Sequence, residues 1–409
     1  MKFPLYFSRK IAFSKDNKNN LSCVIVFIGR LSVALGVIVS LITVATGLGS
    51  KEAIKTRMGD FAGHISIKST KTNTSYNSSV LDLKELKKND IQALPEVEGL
   101  QSYATVSGIL RTEKSFSGII LKGVAKDFNT ERFKKFMVSG SIPDFNEEGY
   151  NNQVILPEKI AIDLNLKPKD SIVAIFSKED QKPIYRKFEV AGLYKTDIKL
   201  IDDLYIIGDI NHVRKIQDMG KTDIGGLNVF LDNTNTMDEV LPKIDALIGY
   251  KNYAEKITDR FPQIVDWINI FDTNISLIIS IMMVVVIINI IMVLLILIIE
   301  RTNSIGMLKT LGATNGQIRT IFINYTLLIM VPGLLIGNAI GIGLLLIQKF
   351  FGVVKLNPEN YYVSEVPVEL DPIYIFMISF GILLISAIAL ILPSYLISKI
   401  SPVKAIRYN

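Results

Sequence analysis

The chain has 409 residues, of which 49% are apolar and 21% are charged, and its formal net charge is +6. Its mean hydropathy of +0.35 is too high for an ordinary soluble protein, so membrane-spanning segments are expected. The single cysteine, Cys23, excludes an intrachain disulfide and a Cys-based zinc or iron–sulfur site. The two histidines, His64 and His212, have no partners at metal-ligand spacing, so no metal site is expected.

Four stretches are long and apolar enough to cross a bilayer, which requires roughly 20 apolar residues at about 1.5 Å of rise each. The predicted transmembrane helices are residues 21–49, 274–299, 320–348 and 373–397. Buried helices of soluble proteins are the alternative, but the second stretch contains no charge along its whole length. The first stretch is interpreted as a retained anchor rather than a cleaved signal peptide, because its apolar run is longer than a signal-peptide core.

Basic residues in the short segments predict the orientation, because cytoplasmic loops carry an excess of Lys and Arg. Residues 1–20, 300–319 and 398–409 are each basic, whereas residues 349–372 are acidic. We therefore expect a multi-pass membrane protein with both termini and the 300–319 loop in the cytoplasm. Arg30 then lies near the cytoplasmic end of the first helix and is interpreted as an interface anchor.

Residues 50–273 form the one stretch between spans that is long enough to fold independently, and they are predicted to be a mixed α/β extracytoplasmic domain with a stalk. Short β-rich runs are separated by polar turn clusters. The predicted strands are residues 64–67, 118–121, 154–156, 172–176, 188–191, 204–207 and 227–231. The predicted helices are residues 81–93, 158–164, 213–219 and 236–247, followed by a helical stalk over 251–267. Residues 71–79 are predicted to be a flexible loop.

Sequence motifs for catalysis do not appear in this chain. Gly220-Lys221-Thr222 has the ending of a phosphate-binding loop, but Lys215 stands where the first glycine is required. A Gly-x-Ser-x-Gly elbow and a His-Glu-x-x-His motif are absent from the sequence. We therefore expect no enzymatic activity from this chain and interpret residues 220–222 as a surface turn.

The segment between the second and third spans, residues 300–319, contains a partial apolar stripe. Its members are Ile305, Leu308, Leu311 and Ile318, and Gly312 offers a natural helix end. A short amphipathic helix between two spans either lies on the membrane surface or binds a soluble partner.

The pattern Glu300-x4-Ile305-Gly306-x-Leu308-x2-Leu311-Gly312-Ala313-Thr314 resembles the signature of the FtsX-like permeases, the membrane subunits of type VII ABC transporters. This resemblance implies a coupling helix that binds a cytoplasmic ABC ATPase dimer, with ATP and Mg on the ATPase and no cofactor on this chain. The implied coupling residues are Glu300, Ile305, Gly306, Leu308, Lys309, Leu311, Gly312, Ala313 and Ile318. Leu392-Pro393-Ser394-Tyr395 and residues 402–408 are similar to the closing motif of that family.

Three further segments are similar to the lipoprotein-releasing permeases of Gram-negative bacteria: residues 34–37, 63–65 and 361–368. The resemblance implies four transmembrane α-helices, with a MacB-like periplasmic domain of Porter-like and Sabre-like lobes between helices 1 and 2. It also implies a second permease, either an identical chain or a paralogue, and a lipoprotein substrate. A periplasmic lipoprotein chaperone is left open as a partner, and no nucleic-acid partner is expected.

Two sets of apolar-span residues are candidates for packing and for the substrate path. Gly333, Gly337 and Gly341 recur every fourth residue, which gives a smooth ridge for another helix. That helix is either the fourth span or part of another subunit. The candidate lipid-contacting residues between the first and second spans are Val39, Leu41, Ile278 and Met282.

Three functional hypotheses follow. The first is a permease subunit that extracts lipoproteins from the inner membrane by using a partner ATPase. The second keeps the same fold but relays force across the membrane, either to activate cell-wall hydrolases or to drive peptide or antibiotic efflux. The third is an ATP-independent sensor or anchor.

Overall fold

The computed structural model describes residues 21–71, 76–84, 86–113, 115–145, 150–177, 182–357, 361 and 363–395. The N-terminal segment 1–20, the predicted tail 398–409 and the closing motif 402–408 lie outside the described residues. The described residues fall into two compact units. Of the described residues, one unit contains 21–50, 268–354 and 365–395, and the other contains those within 51–267 and 355–364.

Four helices are long and apolar enough to cross a membrane. They are α1 (Leu21–Ala62), α9 (Pro262–Glu300), α11 (Asn315–Phe351) and α12 (Pro372–Ala389). Helices α1, α9 and α11 contain the first three predicted spans, and α12 contains residues 373–389 of the fourth. The prediction of four helices able to cross a membrane is confirmed. The helices α1, α9 and α11 extend beyond the apolar stretches, because a helix can continue into polar residues that the hydropathy criterion excludes.

Local sequence signals explain where the third span ends and where the fourth span begins. Gly352 has a φ of 54° and ends α11, with its N–H donating to Gln348 O at 2.9 Å. Asp371 caps α12, since its carboxylate accepts from Ile373 N at 2.8 Å, and Pro372 occupies the first turn. The helix α12 ends at Ala389, and a short helix, α13 (Ile391–Ser394), follows it. The predicted fourth span ran without a break to residue 397, whose structure is not described.

The first unit has a core of aliphatic side chains from all four long helices. Its buried members include Val33, Val37 and Leu41 of α1, Val286, Ile290 and Leu294 of α9, Ile318 and Phe322 of α11, and Ile382 of α12. Glycines bring α1 and α9 close together: a Cβ on Gly36 would lie 2.4 Å from Val286 Cγ2. A hydrogen bond of 2.7 Å from Asn289 Nδ2 to Ser32 Oγ joins the same two helices.

The second unit is built on a ten-stranded mixed sheet with the order β10-β1-β9-β2-β3-β8-β5-β7-β4, and β6 pairs with β2 and β7. The strands are β1 (Ile65–Ser69), β2 (Val97–Arg111), β3 (Phe116–Val124), β4 (Met137–Gly140), β5 (Gln153–Pro157), β6 (Ser171–Phe176), β7 (Ile184–Tyr194), β8 (Tyr205–Asp209), β9 (Gly226–Leu231) and β10 (Asn252–Lys256). The pairs β3–β8 and β5–β7 are parallel, and the other pairs are antiparallel. The prediction of a mixed α/β domain is confirmed.

Short helices connect the strands of this unit. They are α2 (Lys88–Gln92), α3 (Thr130–Lys134), α4 (Glu158–Asp163), α5 (Lys199–Asp202), α6 (Ile210–Ile216), α7 (Met237–Asp245) and α8 (Ile257–Arg260), with a 3-10 turn at Thr234–Thr236. Every residue of β8 and β9 is buried, which explains why continuous apolar runs predicted these strands. The GKT sequence is an exposed turn, in which Gly220 N donates to the Asp223 carboxylate at 2.8 Å.

Three sequence predictions for this unit are corrected. The predicted stalk over 251–267 is not one helix: it contains β10 and α8, and α9 begins at Pro262. The predicted helix over 81–93 is limited to α2. Part of the predicted flexible loop is held against β2, because Ser107 N donates to Asn77 Oδ1 at 2.8 Å and Ser78 N donates to Thr105 O at 2.9 Å. Residues 72–75 of that loop lie outside the described residues.

Candidate functional site

The predicted coupling segment contains one short helix, α10 (Thr302–Thr310), between α9 and α11. Only Arg301 separates it from the end of α9, and Arg301 N still donates to Leu297 O at 3.0 Å. The hydroxyl of Thr302 donates to the carbonyls of Ile298 at 3.0 Å and Ile299 at 2.7 Å. The start of α10 is therefore fixed to the last turn of α9.

The end of α10 is a Schellman motif centred on Gly312. Gly312 has a φ of 90°, which L-residues rarely adopt. Its N–H donates to Lys309 O at 3.1 Å, and Ala313 N donates to Leu308 O at 2.9 Å. The predicted role of Gly312 as a helix end thus agrees with this geometry.

The helix α11 begins immediately after this motif with a capping box. Thr314 Oγ1 accepts from Gln317 N at 3.3 Å, and Gln317 Oε1 accepts from Thr314 N at 3.0 Å. A stop signal and a start signal are thus separated by a single residue, Ala313. We infer that this turn holds α10 and α11 at a defined angle.

One face of α10 packs against the first turns of α11. Ile305 and Ile318 are fully buried and belong to one aliphatic cluster, against which Leu308 and Ala313 are partly buried. A small apolar cavity of about 100 Å³ lies beside this contact. Its lining residues are Arg301, Ser304, Ile305, Leu308, Ile321, Phe322 and Tyr325.

The opposite face of α10 is exposed. The exposed fraction of Leu311 is 84% and that of Met307 is 51%. These two residues are four apart, so they lie on the same side of the helix and its end. We call Met307 and Leu311 the exposed apolar pair.

The predicted coupling residues therefore separate into three groups. Ile305, Gly306 and Ile318 are buried; Leu308, Lys309 and Ala313 are half-buried; Glu300, Leu311 and Gly312 are exposed. Leu311 of the predicted stripe does not share the buried face of Ile305, because the helix ends before it. Sequence reasoning missed Met307, although its spacing of four from Leu311 was a usable signal.

The glycine ridge of α11 packs against α1 and not against the fourth span. A Cβ on Gly333 would lie 2.6 Å from Arg30 O, one on Gly337 would lie 2.7 Å from Ala34 O, and one on Gly341 would lie 3.2 Å from Leu41 Cδ1. The helix α12 is joined to α11 by a different contact, the paired hydrogen bonds of 2.9 and 3.0 Å between Asn338 and Ser379.

The four predicted substrate-path residues do not form one surface. Leu41 is only 1% exposed and lies in the core of the first unit. Its inclusion in an open lipid path is therefore corrected for this conformation. Val39, Ile278 and Met282 are half-buried.

Comparison with known proteins finds similarity to one family of membrane proteins. Residues 276–402 match the model described as the FtsX-like permease C-terminal region. The lipoprotein-releasing system transmembrane protein LolC of Xylella fastidiosa is 21% identical, with 93% of this chain and 92% of that protein covered. LolE of Haemophilus influenzae, described in the same terms, is 23% identical, with 99% of both chains covered. These matches confirm the predicted resemblance to the FtsX-like permeases.

Two solved structures are also similar to part of the chain. One is the periplasmic region of MacB from Actinobacillus actinomycetemcomitans, with a TM-score of 0.34, 16% identity and coverage of 49% of this chain and 92% of that one. The other is the extracellular domain of the noncanonic ABC-type transporter YknZ from Gram-positive bacteria, with a TM-score of 0.33, 14% identity and coverage of 47% of this chain and 99% of that one.

Proposed function

We propose that this chain, whose residues 276–402 match the FtsX-like permease C-terminal region, is the membrane subunit of an ABC transporter that extracts lipoproteins from the inner membrane of a bacterium. In this proposal a separate ATPase dimer in the cytoplasm hydrolyses ATP with Mg, and this chain binds no cofactor. A second permease, identical or paralogous, completes the membrane part. The observation that carries the proposal is the helix α10: it is fixed at both ends and buried on one face, and it presents an exposed apolar pair on the other.

The similarity to LolC and LolE over more than nine tenths of the chain supports lipoprotein release as the work of the transporter. Extraction of a lipid anchor is costly, since each acyl CH₂ in the bilayer contributes about 0.8 kcal/mol. One acyl chain alone binds a membrane only reversibly, so the energy of ATP is needed for an anchor of two or more chains, whose contributions add. The half-buried residues Val39, Ile278 and Met282 stay candidates for contact with that chain.

The contacts of α10 suggest how the force of the ATPase reaches the membrane helices. Pressure on the exposed apolar pair passes through Ile305 to Ile318 at the start of α11. The capped turn between Gly312 and Thr314 prevents α10 from folding away from α11. The ridge of α11 passes the displacement to α1, because Gly333 and Gly337 are in close contact with its backbone.

A double substitution of the exposed apolar pair tests the coupling. The double variant Met307→Glu with Leu311→Glu should leave the fold intact, because both side chains are exposed. It should reduce recovery of the ATPase with the purified permease at least tenfold. This estimate corresponds to a loss of about 1.4 kcal/mol or more of binding free energy from two apolar anchors. The matched control is Ile162→Glu, which alters a 71% exposed side chain on α4 of the other unit. Equal recovery of the ATPase with the double variant would show that the ATPase binds elsewhere and would reject the exposed apolar pair as its contact. Absence of any ATPase from the purified unsubstituted chain would favour an ATP-independent sensor or anchor.

Depletion of the chain in cells tests the cargo. Lipoproteins destined for the outer membrane should accumulate in the inner membrane, as measured by fractionation of the two membranes on a density gradient. Normal sorting, accompanied by a defect in cell-wall cleavage or in peptide efflux, would favour the force-relay hypothesis and reject lipoprotein release. A lipoprotein chaperone as a further partner stays a prediction.

A further inference from the structure

The second unit contains a cavity of about 490 Å³ at one end of the sheet, where α8 leads into α9. Four tyrosines, Tyr76, Tyr103, Tyr205 and Tyr253, contribute to its lining. The charged residues of the lining are Lys68, Arg260 and Asp259. We call this space the tyrosine cavity. It is distant in sequence from the coupling helix, and nothing in the proposed transport function uses it.

Arg260 is the central polar group of this cavity, and its guanidinium lies over aromatic rings. It is half-buried, and its guanidinium carbon lies 5.9 Å from the centre of the Tyr103 ring and 5.4 Å from that of the Phe261 ring. In the part of the chain that the structure describes, none of the ion pairs includes Arg260. A guanidinium has five N–H donors in a planar fork, and none of those of Arg260 is paired with a carboxylate of the described residues.

The nearby carboxylates are directed elsewhere. Glu255 forms an ion pair with Lys68, on the adjacent strand β1. Asp259 is exposed and accepts a long hydrogen bond of 3.5 Å from Thr258 Oγ1. Neither of these two carboxylates therefore neutralises the charge of Arg260 by direct contact.

A second cation lies behind the wall of the cavity. Lys122 is buried, its Nζ donates to Phe61 O at 2.6 Å, and it lies 5.8 Å from the centre of the same Tyr103 ring. Burial and, to a smaller extent, the charge of Arg260 lower the pKa of Lys122 to about 7. Two basic groups thus share one aromatic ring, and an anion in the cavity would relieve their mutual repulsion.

We propose that the tyrosine cavity binds an organic oxyanion, a carboxylate or phosphate attached to an apolar body, through the guanidinium fork of Arg260. A guanidinium binds either oxyanion with two parallel hydrogen bonds. The hydroxyl of Tyr253 is a further donor at the same wall. The volume is larger than an inorganic anion needs, and the tyrosine rings provide apolar surface for the remainder of the ligand.

Binding is tested on the purified full-length chain in a phosphate-free, uncharged detergent by isothermal titration calorimetry. Phenyl phosphate and phenylacetate are the two oxyanion probes, phenol is the uncharged probe, and inorganic phosphate is the probe without an apolar body. We expect at least one of the two aromatic oxyanions to bind at least tenfold more tightly than phenol and than inorganic phosphate, about the value of one charge-assisted hydrogen bond. Which of the two binds distinguishes a phosphate source from a carboxylate source.

Arg260→Gln should weaken binding of the preferred probe by about tenfold or more, because it removes the charge and the fork. The matched control is Arg111→Gln, which changes an exposed arginine on β2 outside the cavity and should leave binding unchanged. Arg260→Lys keeps the charge without the fork and should give an intermediate loss. Tyr253→Phe removes one hydroxyl and should weaken binding about threefold. The variants Arg260→Lys and Tyr253→Phe keep the test decisive if Arg260→Gln does not fold.

Three results would overturn the proposal: no binding of either oxyanion at millimolar concentration, equal binding of phenol, or full affinity in the folded Arg260 and Tyr253 variants. Inorganic phosphate that bound as tightly as the aromatic probes would overturn the assignment of an organic ligand. The measurement needs neither ATPase nor lipoprotein, so its failure is independent of the proposed transport function.

Discussion

At the scale of single residues, His64 shows how a buried side chain can limit the stability of the second unit. Its Nδ1 accepts a hydrogen bond of 2.9 Å from Leu231 N, so the ring proton is on Nε2. The ring lies against Phe230 and is almost fully buried. A Cβ on Gly59 would lie 2.4 Å from Nε2, so there is no room for a larger residue at position 59. Burial, with the charge of Arg132, lowers the pKa of His64 to about 4.

This pKa predicts a loss of stability in acid. Between about pH 6.5 and 4 the unfolded chain binds a proton at position 64 and the folded chain does not, so stability falls as the pH falls through this range. The contribution is of order 3 kcal/mol between the two limits. The thermal unfolding midpoint of the purified chain should therefore depend less on pH in His64→Asn, whose amide oxygen can replace Nδ1 as the acceptor. An identical pH dependence of the thermal midpoint in the unsubstituted chain and in His64→Asn would contradict the lowered pKa of His64.

At the scale of elements, the close contact between α1 and α11 depends on the absence of side chains at the ridge. Gly337 faces the backbone oxygen of Ala34, which cannot move without distortion of α1. Gly343 lies two residues beyond the ridge, and a Cβ there would have no neighbouring atom of the described residues within 4 Å. An alanine at Gly343 therefore changes helix propensity alone, whereas an alanine at Gly337 changes helix propensity and the packing against α1.

Gly337→Ala should lower the thermal midpoint of the purified chain, because overpacking costs about 1–3 kcal/mol. Gly343→Ala should leave the midpoint unchanged or raise it, since Ala is the better helix former by about 1 kcal/mol. Differential scanning fluorimetry in the same detergent compares the two variants. A lower midpoint for Gly343→Ala than for Gly337→Ala would show that the ridge does not pack against α1.

The sequence was most informative for elements whose signal is local. A transmembrane span can be predicted from a long uncharged run alone, and α10 can be predicted from its apolar stripe and Gly312. The strand β2 was missed because its residues include Gly99, Gly108 and several polar side chains, and its stability comes from pairing with β3, β6 and β9. The strand β10 was missed because NYAEK is polar and has only one sheet partner among the described strands.

Which residues of the candidate site face outward could not be predicted from the sequence, since this depends on where α10 ends and on what α11 covers. Leu311 had the spacing of a core residue, but the left-handed turn at Gly312 leaves it exposed. The ridge partner was also unpredictable, because three other spans could have faced those glycines. The tyrosine cavity had no sequence signal, as Tyr103 and Arg260 lie on distant segments that only the sheet brings together.

At the scale of the whole molecule, the distribution of basic residues predicts that α10 lies in the cytoplasm and the ten-stranded sheet outside it. Leu311→Cys and Phe116→Cys, each in a Cys23→Ser background, test this because both native side chains are exposed, at 84% and 76%. In cells with a permeabilised outer membrane, a membrane-impermeant maleimide should label Phe116→Cys at once and Leu311→Cys only after lysis. Labelling of Leu311→Cys before lysis would reverse the topology and exclude contact with a cytoplasmic ATPase.

The pairing of β1 has a consequence for the order of biosynthesis. Ile65–Ser69 is the first of these strands to leave the ribosome, yet both of its ladder partners come from residues 226–256. The strand must therefore wait, with its backbone groups bonded to water or to a holding factor, until nearly all of the domain has been synthesised. Because α9 begins at Pro262, the sheet can close only when the second membrane helix is itself about to emerge.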